Sequence, residues 1–267
     1  MSLIGATMTA LKREGATALV PFLTAGDPDL ATTEELIHTL VEAGADLIEL
    51  GMPFSDPAAD GPTIQAASER ALLSGTTLVG VLELVARVRK RTNIPIILMG
   101  YYNPVYRFGP AQFAAAAADA GVDGLLLVDV PVEESTEIHS DLKRNGIDLI
   151  SLLAPTTPAE RMRQLAAAGE GYLYYVSMTG VTGTQHIDAA AIAGEVRKVQ
   201  ELSPVPVAVG FGITTPADAA AVSRFADAVV VGSALVKIIA THGKGQSLLP
   251  EVRSFIRSLK EGMRGEA

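Results

Sequence analysis

Cysteine is absent from the 267 residues, so disulfides, thiolate metal sites and thiol nucleophiles are excluded outright. Positive charge is scarce as well. The 21 Lys and Arg against 30 Asp and Glu leave a net charge of -9, which argues against a nucleic-acid or anionic-membrane surface. The deficit leaves small anionic ligands open, because backbone amides at a helix start bind them without any cation. No apolar stretch approaches the roughly 18 residues of a membrane span, and the opening MSLIGATMTALKREG lacks the long apolar run of a signal peptide. A cytoplasmic protein with no membrane or nucleic-acid partner is the expectation. No Pro/Ser-rich linker or charge block divides the chain, and 48% hydrophobic residues suit a substantial core, so 1–267 reads as a single domain.

Short apolar runs recur along the chain: TALVPFLTAG, ADLIELGMP, IPIILMGYYNP, VDGLLLVDVP, IDLISLLAP, GYLYYVS, VPVAVGFGI and ADAVVVGSA. Each is β-branched or leucine-rich and closed by Gly, Pro, Asp or Ser, as in strands buried on both faces of a parallel sheet. Helical stretches lie between them. TTEELIHTLVEAGA has Thr32 or Thr33 as its expected N-cap and Gly44 past its end, PAQFAAAAADAGV is a second, and PAERMRQLAAAGE a third with Pro158 in the first turn. Several helices end in AG or NG just before the next strand. Eight strands with intervening helices predict an α/β fold of the (β/α)8 TIM-barrel class. An open doubly wound sheet is the rival, but PFLTAGDPDLATTEE is not the glycine-rich turn such a sheet places after its first strand.

In such a barrel the C-terminal strand ends build the active site. All seven lysines (12, 90, 143, 198, 237, 244 and 260) fall on predicted helices or terminal segments, which argues against a Schiff-base lysine. The four histidines, 38, 139, 186 and 242, show no ligand spacing, and His38 and His139 read as helix-surface residues. Carboxylates and tyrosines remain for proton transfer. Glu49 stands out in LIELGMPFSDPAADG, since burying a charge among Leu47, Ile48 and Leu50 is expensive. If Ile48 and Leu50 face the helices, Glu49 points into the barrel mouth, where a partly desolvated acid suits general acid/base work. Pairing with a structural polar neighbour is the alternative. Asp60 and Asp56 lie in a Pro/Gly-bounded loop, where aspartates also form turns. Gly212, Gly232 and Ser233, after the last two strands, read either as a phosphate cradle at a helix start or as ordinary turn residues.

The stretch LIELGMPFSDPAADGPTIQ closely resembles the signature of the tryptophan synthase α-subunit family around its two catalytic carboxylates. The likeness continues through PFLTAGDP, MGYYNPV, LLLVDVPVEES, YLYYVSMTGVTG, VAVGFGI and VVVGSALVKII, covering nearly the whole chain in order. The resemblance implies a carbon–carbon lyase of tryptophan biosynthesis that splits indole-3-glycerol phosphate into indole and glyceraldehyde 3-phosphate. It implies Glu49 as the acid/base that protonates the indole ring carbon, Asp60 as the group beside the indole nitrogen, and Tyr174 as a tyrosine lining the catalytic site. Phe22, Tyr101, Leu126, Val128 and Leu152 would form the indole pocket, and Gly183, Gly212, Gly232 and Ser233 the phosphate site. It implies no metal, no cofactor in this chain, and a β-subunit partner in an α2β2 complex that carries pyridoxal phosphate and receives indole. The loop at 53–61 and the TGVTGT loop would close over substrate, with Asp56 ordering the loop or meeting the partner. A different phosphosugar barrel enzyme and a barrel kept mainly as a regulatory binding subunit are the competing readings.

Overall fold

The computed structural model describes residues 2–131, 134–176, 189–210 and 212–265. Its strands are β1 (Ala18–Thr24), β2 (Ile48–Gly51), β3 (Ile96–Gly100), β4 (Gly124–Leu127), β5 (Asp148–Leu149), β6 (Ser151–Leu153), β7 (Leu173–Val176), β8 (Val207–Gly210) and β9 (Ala228–Val231). All pair in parallel, in the order β5-β4-β3-β2-β1-β9-β8-β7-β6. The two ends of that order are consecutive in the chain and separated by Ile150, whose amide still donates to the Leu125 carbonyl at 2.8 Å. β5 and β6 are therefore one stave with a local break, and the sheet closes into the expected eight-stave TIM barrel.

The chain alternates strands with helices α1 (Leu3–Arg13), α2 (Leu30–Ala43), α3 (Pro62–Leu73), α4 (Leu78–Val88), α5 (Tyr102–Phe108), α6 (Pro110–Ala120), α7 (Thr136–Arg144), α8 (Ala159–Ala167), α9 (Ala189–Leu202), α10 (Pro216–Ser223), α11 (Ser233–His242) and α12 (Leu248–Arg264). Alternation within each strand splits the apolar residues into two layers. Leu19, Leu23, Ile48, Leu50, Leu98, Leu125, Val209 and Val229 face outward and pack under the helices. Val20, Leu47, Ile97, Leu126, Ile150, Tyr172, Tyr174, Ala208 and Val230 fill the barrel interior. Ile4 and Met8 of α1 join that interior cluster, so the N-terminal helix plugs the bottom of the barrel. The bottom is pinned further by Lys260 of α12, which donates to Asp46, itself accepting the Leu19 amide at 2.7 Å.

Local punctuation follows the side chains. Gly44 and Gly121 end α2 and α6 in the left-handed region at φ 104° and 92°, where glycine is favoured. The N-cap of α2 is Asp29 rather than Thr32 or Thr33: its carboxylate accepts from the Thr32 amide at 2.7 Å, because the helix starts at Leu30. Pro158 precedes α8 as its N-cap residue, one position before the expected first turn. His38 is buried rather than superficial, at 8% exposure, and its Nε2 has no hydrogen-bond partner among the described residues. The reason is that α2 is flanked by both α4 and α12, so two sides of that helix are covered. Among the described residues no single helix is long and apolar enough to cross a membrane.

Candidate active site

Ile48 and Leu50 do face the helices, and Glu49 accordingly points into the barrel with Leu47. The carboxyl is 1% exposed. Its Oε1 accepts a 2.5 Å hydrogen bond from the hydroxyl of Tyr172, while Oε2 has no partner among the described residues. Burial, partly offset by the Tyr172 bond, pushes the Glu49 carboxyl up to about 7. A group balanced between its two protonation states near neutral pH is able both to give and to take a proton. Tyr172, just before β7, and Tyr174 within it belong to the same interior cluster, with Tyr172 two residues earlier and one layer deeper in the barrel. Burial and the neighbouring Glu49 hold both phenols well above the usual tyrosine range.

The second carboxylate sits on the loop after β2. Asp60 shares a small cavity with Phe22, Thr24, Gly51, Met52, Ile64, Ser68, Met99, Gly100, Tyr101 and Val128. Burial pushes its carboxyl up to about 6, and a hydrogen bond from Tyr101 pulls the other way. Tyr101 also accepts the Ala59 amide at 2.9 Å, and Gln65 Nε2 donates to the Asp60 carbonyl at 2.8 Å. These two contacts position the loop from Tyr101, the residue after β3, and from α3. Asp56 is different: it is exposed and accepts a 2.5 Å bond from Ser55, its own neighbour.

The remaining residues singled out from the sequence divide by depth. Phe22, Tyr101 and Val128 line the Asp60 cavity. Leu152 and Val128 line an adjoining cavity of about 270 Å3 at the ends of β4 and β6. Leu126 and Tyr174 lie in the interior cluster below, not on the Asp60 cavity. Gly51 and Gly210 make room for rings of the site: a Cβ would fall 2.7 Å from Phe22 Cζ at the first and 2.1 Å from the Tyr174 hydroxyl at the second. At the far side of the mouth, Gly232 precedes α11 and Ser233 opens it, with no side-chain cap on the helix amides. Uncapped first-turn N–H groups of this kind can receive an anion. Gly212 has φ 77°, a conformation that favours glycine. Gly183 and the whole TGVTGT loop lie outside the described residues.

Several cavity and core residues went unassigned in the sequence, among them Tyr172, Thr24, Ser68 and Met99. Tyr172 shares an inward face with Tyr174 by simple alternation, a signal that could have found it. Ser68 and Met99 carried no such signal. None of the seven lysines lies in a strand or lines the Asp60 cavity. Among the described residues, no three of His, Asp and Glu cluster as metal ligands would.

A closed barrel whose mouth holds a buried acid near neutrality, with a second carboxylate on the adjoining loop, defines the molecule as a (β/α)8-barrel enzyme with ionisable groups placed where this fold conducts its chemistry. The chain belongs to the tryptophan synthase alpha chain family, whose model matches residues 8–264. It is 52% identical over 263 residues to the tryptophan synthase alpha chain of Citrifermentans bemidjiense, covering 98% of each chain. With the Burkholderia pseudomallei protein of the same name it shares 49% over 268 residues, covering 100% of this chain and 98% of that one. Among solved structures, tryptophan synthase subunit alpha from Legionella pneumophila superposes with a TM-score of 0.92 at 40% identity, covering 99% of both chains. A Mycobacterium tuberculosis tryptophan synthase structure gives 0.90 at 35% identity over 98% of both. The molecule is thus a lyase of the α-reaction type, the α-subunit member of a tryptophan-synthesising pair.

Proposed function

We propose that this chain cleaves indole-3-glycerol phosphate by a retro-aldol reaction, with Glu49 as the proton carrier. The observation that carries the reading is the buried Glu49 carboxyl, held near neutrality beside a cavity lined by Asp60 and apolar residues. Glu49 gives its proton to C3 of the indole ring, which turns the ring into the electron acceptor that a lysine imine supplies elsewhere. The Asp60 carboxylate faces the ring nitrogen and stabilises the positive charge that develops there. The regenerated Glu49 carboxylate takes the proton of the side-chain hydroxyl next to the ring. The C3–carbon bond then breaks, its electron pair restores the indole, and the hydroxyl carbon leaves as the aldehyde of glyceraldehyde 3-phosphate. One proton enters and one departs, so the acid is reset in each cycle.

Phe22, Tyr101, Val128 and Leu152 form the walls for the indole ring, with Leu126 and Tyr174 supporting the floor. The backbone at Gly183, Gly212, Gly232 and Ser233 takes the phosphate, which is why an acidic protein tolerates an anionic substrate. Residues 1–267 act as one cytoplasmic domain without a cofactor of their own. The partner is a pyridoxal-phosphate β subunit in an α2β2 complex, which consumes the indole, and the loops at 53–61 and 178–187 close over substrate and report its presence. Asp56, exposed at the loop tip, suits loop ordering or the partner interface.

The test is release of indole from indole-3-glycerol phosphate, measured with and without added β subunit. Turnover that rises with β subunit and falls at least about 100-fold in Glu49→Gln is expected. No turnover in either condition overturns the enzymatic reading in favour of a binding subunit.

A further inference from the structure

Four buried polar atoms lack a hydrogen-bond partner among the described residues: Thr24 Oγ1, His38 Nε2, Glu49 Oε2 and Tyr175 Oη. Tyr175 faces the helix layer and His38 sits on α2, both away from the barrel mouth. Glu49 already has a role. Thr24 does not, yet it is 2% exposed and lines the same cavity as Asp60.

Its placement follows from the strand. Ala18, Val20 and Phe22 alternate inward along β1, so Thr24 is the next inward residue and stands at the rim. A valine would fill that volume without stranding a hydroxyl in a buried site. A buried hydroxyl residue on the following helix, Thr33 of α2, is fully used: its Oγ1 accepts from the Gly26 amide and donates to the Asp29 carbonyl. Of the residues lining the Asp60 cavity, Thr24 is the one among those four, with an idle donor on a β-branched side chain whose rotamer is restricted in a strand.

The Asp60 carboxylate is the acceptor within the same cavity. Thr24 and Asp60 both line that cavity, which holds room for about one water. An ionised carboxylate offers about four acceptor positions. Tyr101 supplies one donor to Asp60, and its own oxygen is taken by the Ala59 amide. An indole N–H would supply a second. One carboxylate oxygen still needs a donor once the ring has displaced solvent, and charge-assisted bonds are the strong ones.

We propose that the Thr24 hydroxyl donates to the Asp60 carboxylate in the loaded site, making Thr24 a positioning residue that sets the geometry of the indole-nitrogen contact. This rests on the lyase reading above. Thr24→Val keeps the shape and removes the donor, Thr24→Ser keeps the donor, and Asp60→Asn removes the charged acceptor. Binding is read by calorimetry with an unreactive probe, an indole bearing a three-carbon phosphate chain without hydroxyls. Thr24→Val should weaken binding of the probe about tenfold, and Thr24→Ser should remain within about twofold of the parent. In the Asp60→Asn background, Thr24→Val should change affinity less than about twofold, because the two act as one unit.

Unchanged affinity in Thr24→Val overturns the proposal, and so does a tenfold loss that persists in the Asp60→Asn background, which would place Thr24 on the substrate itself. Thermal melting guards against a folding artefact, and Thr24→Val should melt no lower than the parent, since an unpaired hydroxyl has become a methyl. Indole release by the parent is measured on the same preparation. Its absence would reject the lyase reading and this inference with it, whereas its presence with an unperturbed Thr24→Val rejects the inference alone.

Discussion

Replacing Glu49 with glutamine changes one proton-carrying oxygen and almost nothing in shape, so its consequences can be worked from the site. The carboxyl moves from an ordinary 4.5 to about 7 on folding. A carboxyl raised in this way contributes its full stability below 4.5, and that contribution is lost as pH rises through about 7, where the folded protein must hold a buried charge. At about 1.4 kcal/mol for each pH unit of displacement, the loss reaches about 3 kcal/mol at alkaline pH. Glutamine cannot ionise and escapes it. Its carbonyl still accepts from Tyr172, and any cost of the stranded amide is the same at every pH. The difference in stability between Glu49→Gln and the parent should therefore swing in favour of the variant by about 3 kcal/mol between pH 5 and 9, several degrees in Tm for a chain of this size. Indole release should fall by roughly 10²–10⁴-fold over the same range. Parallel melting curves across pH would refute the buried-charge argument. Turnover within about tenfold of the parent would refute proton transfer by Glu49.

Three further outcomes follow from the same geometry. Asp60 is raised to about 6 and must be ionised to stabilise the indole nitrogen, so kcat/KM of the parent should fall as pH drops through about 6. Asp60→Asn should lose on the order of 10²-fold at neutral pH and lack that acid limb, with an unchanged circular-dichroism spectrum. Tyr172→Phe removes the only donor to Glu49 Oε1 among the described residues. The pH–rate midpoint near 7 should then move alkaline by about one pH unit, and an unmoved midpoint would deny Tyr172 any hold on Glu49. Gly51→Ala forces a Cβ to within 2.7 Å of Phe22 Cζ. It should cost about 1–3 kcal/mol in denaturant unfolding, with part of the loss recovered when Phe22→Leu is added.

How much of this was legible in the sequence depends on how local each cause is. The barrel was legible because a buried parallel strand and an amphipathic helix each write their period into a few neighbouring residues. Glu49 was legible for the same reason: alternation assigned Leu47 and Glu49 to one face and Ile48 and Leu50 to the other, as found. The break in the fifth stave was not, since IDLISLLAP has no glycine or proline to announce it before Ala154-Pro155. His38 was misplaced because burial of a helix face depends on which helices flank it, and α12 lies more than 200 residues away in the chain.

The same contrast separates the two loop aspartates. Asp56 and Asp60 sit four residues apart in one loop, and no local rule tells them apart. Tyr101, Ala59 and Gln65 decide the matter by fixing the loop from two other elements, so that Asp60 borders the cavity while Asp56 stays in solvent. Tyr172 shows the complementary case. Alternation with Tyr174 gives its direction, but its meaning comes from a carboxylate 123 residues earlier. Chemistry in this fold is made by closing the sheet, which brings residues from the start and end of the chain onto one rim. A side chain at that rim whose polar atom has no local use, as with Glu49 and Thr24, is therefore better explained by what the site binds than by what the strand needs.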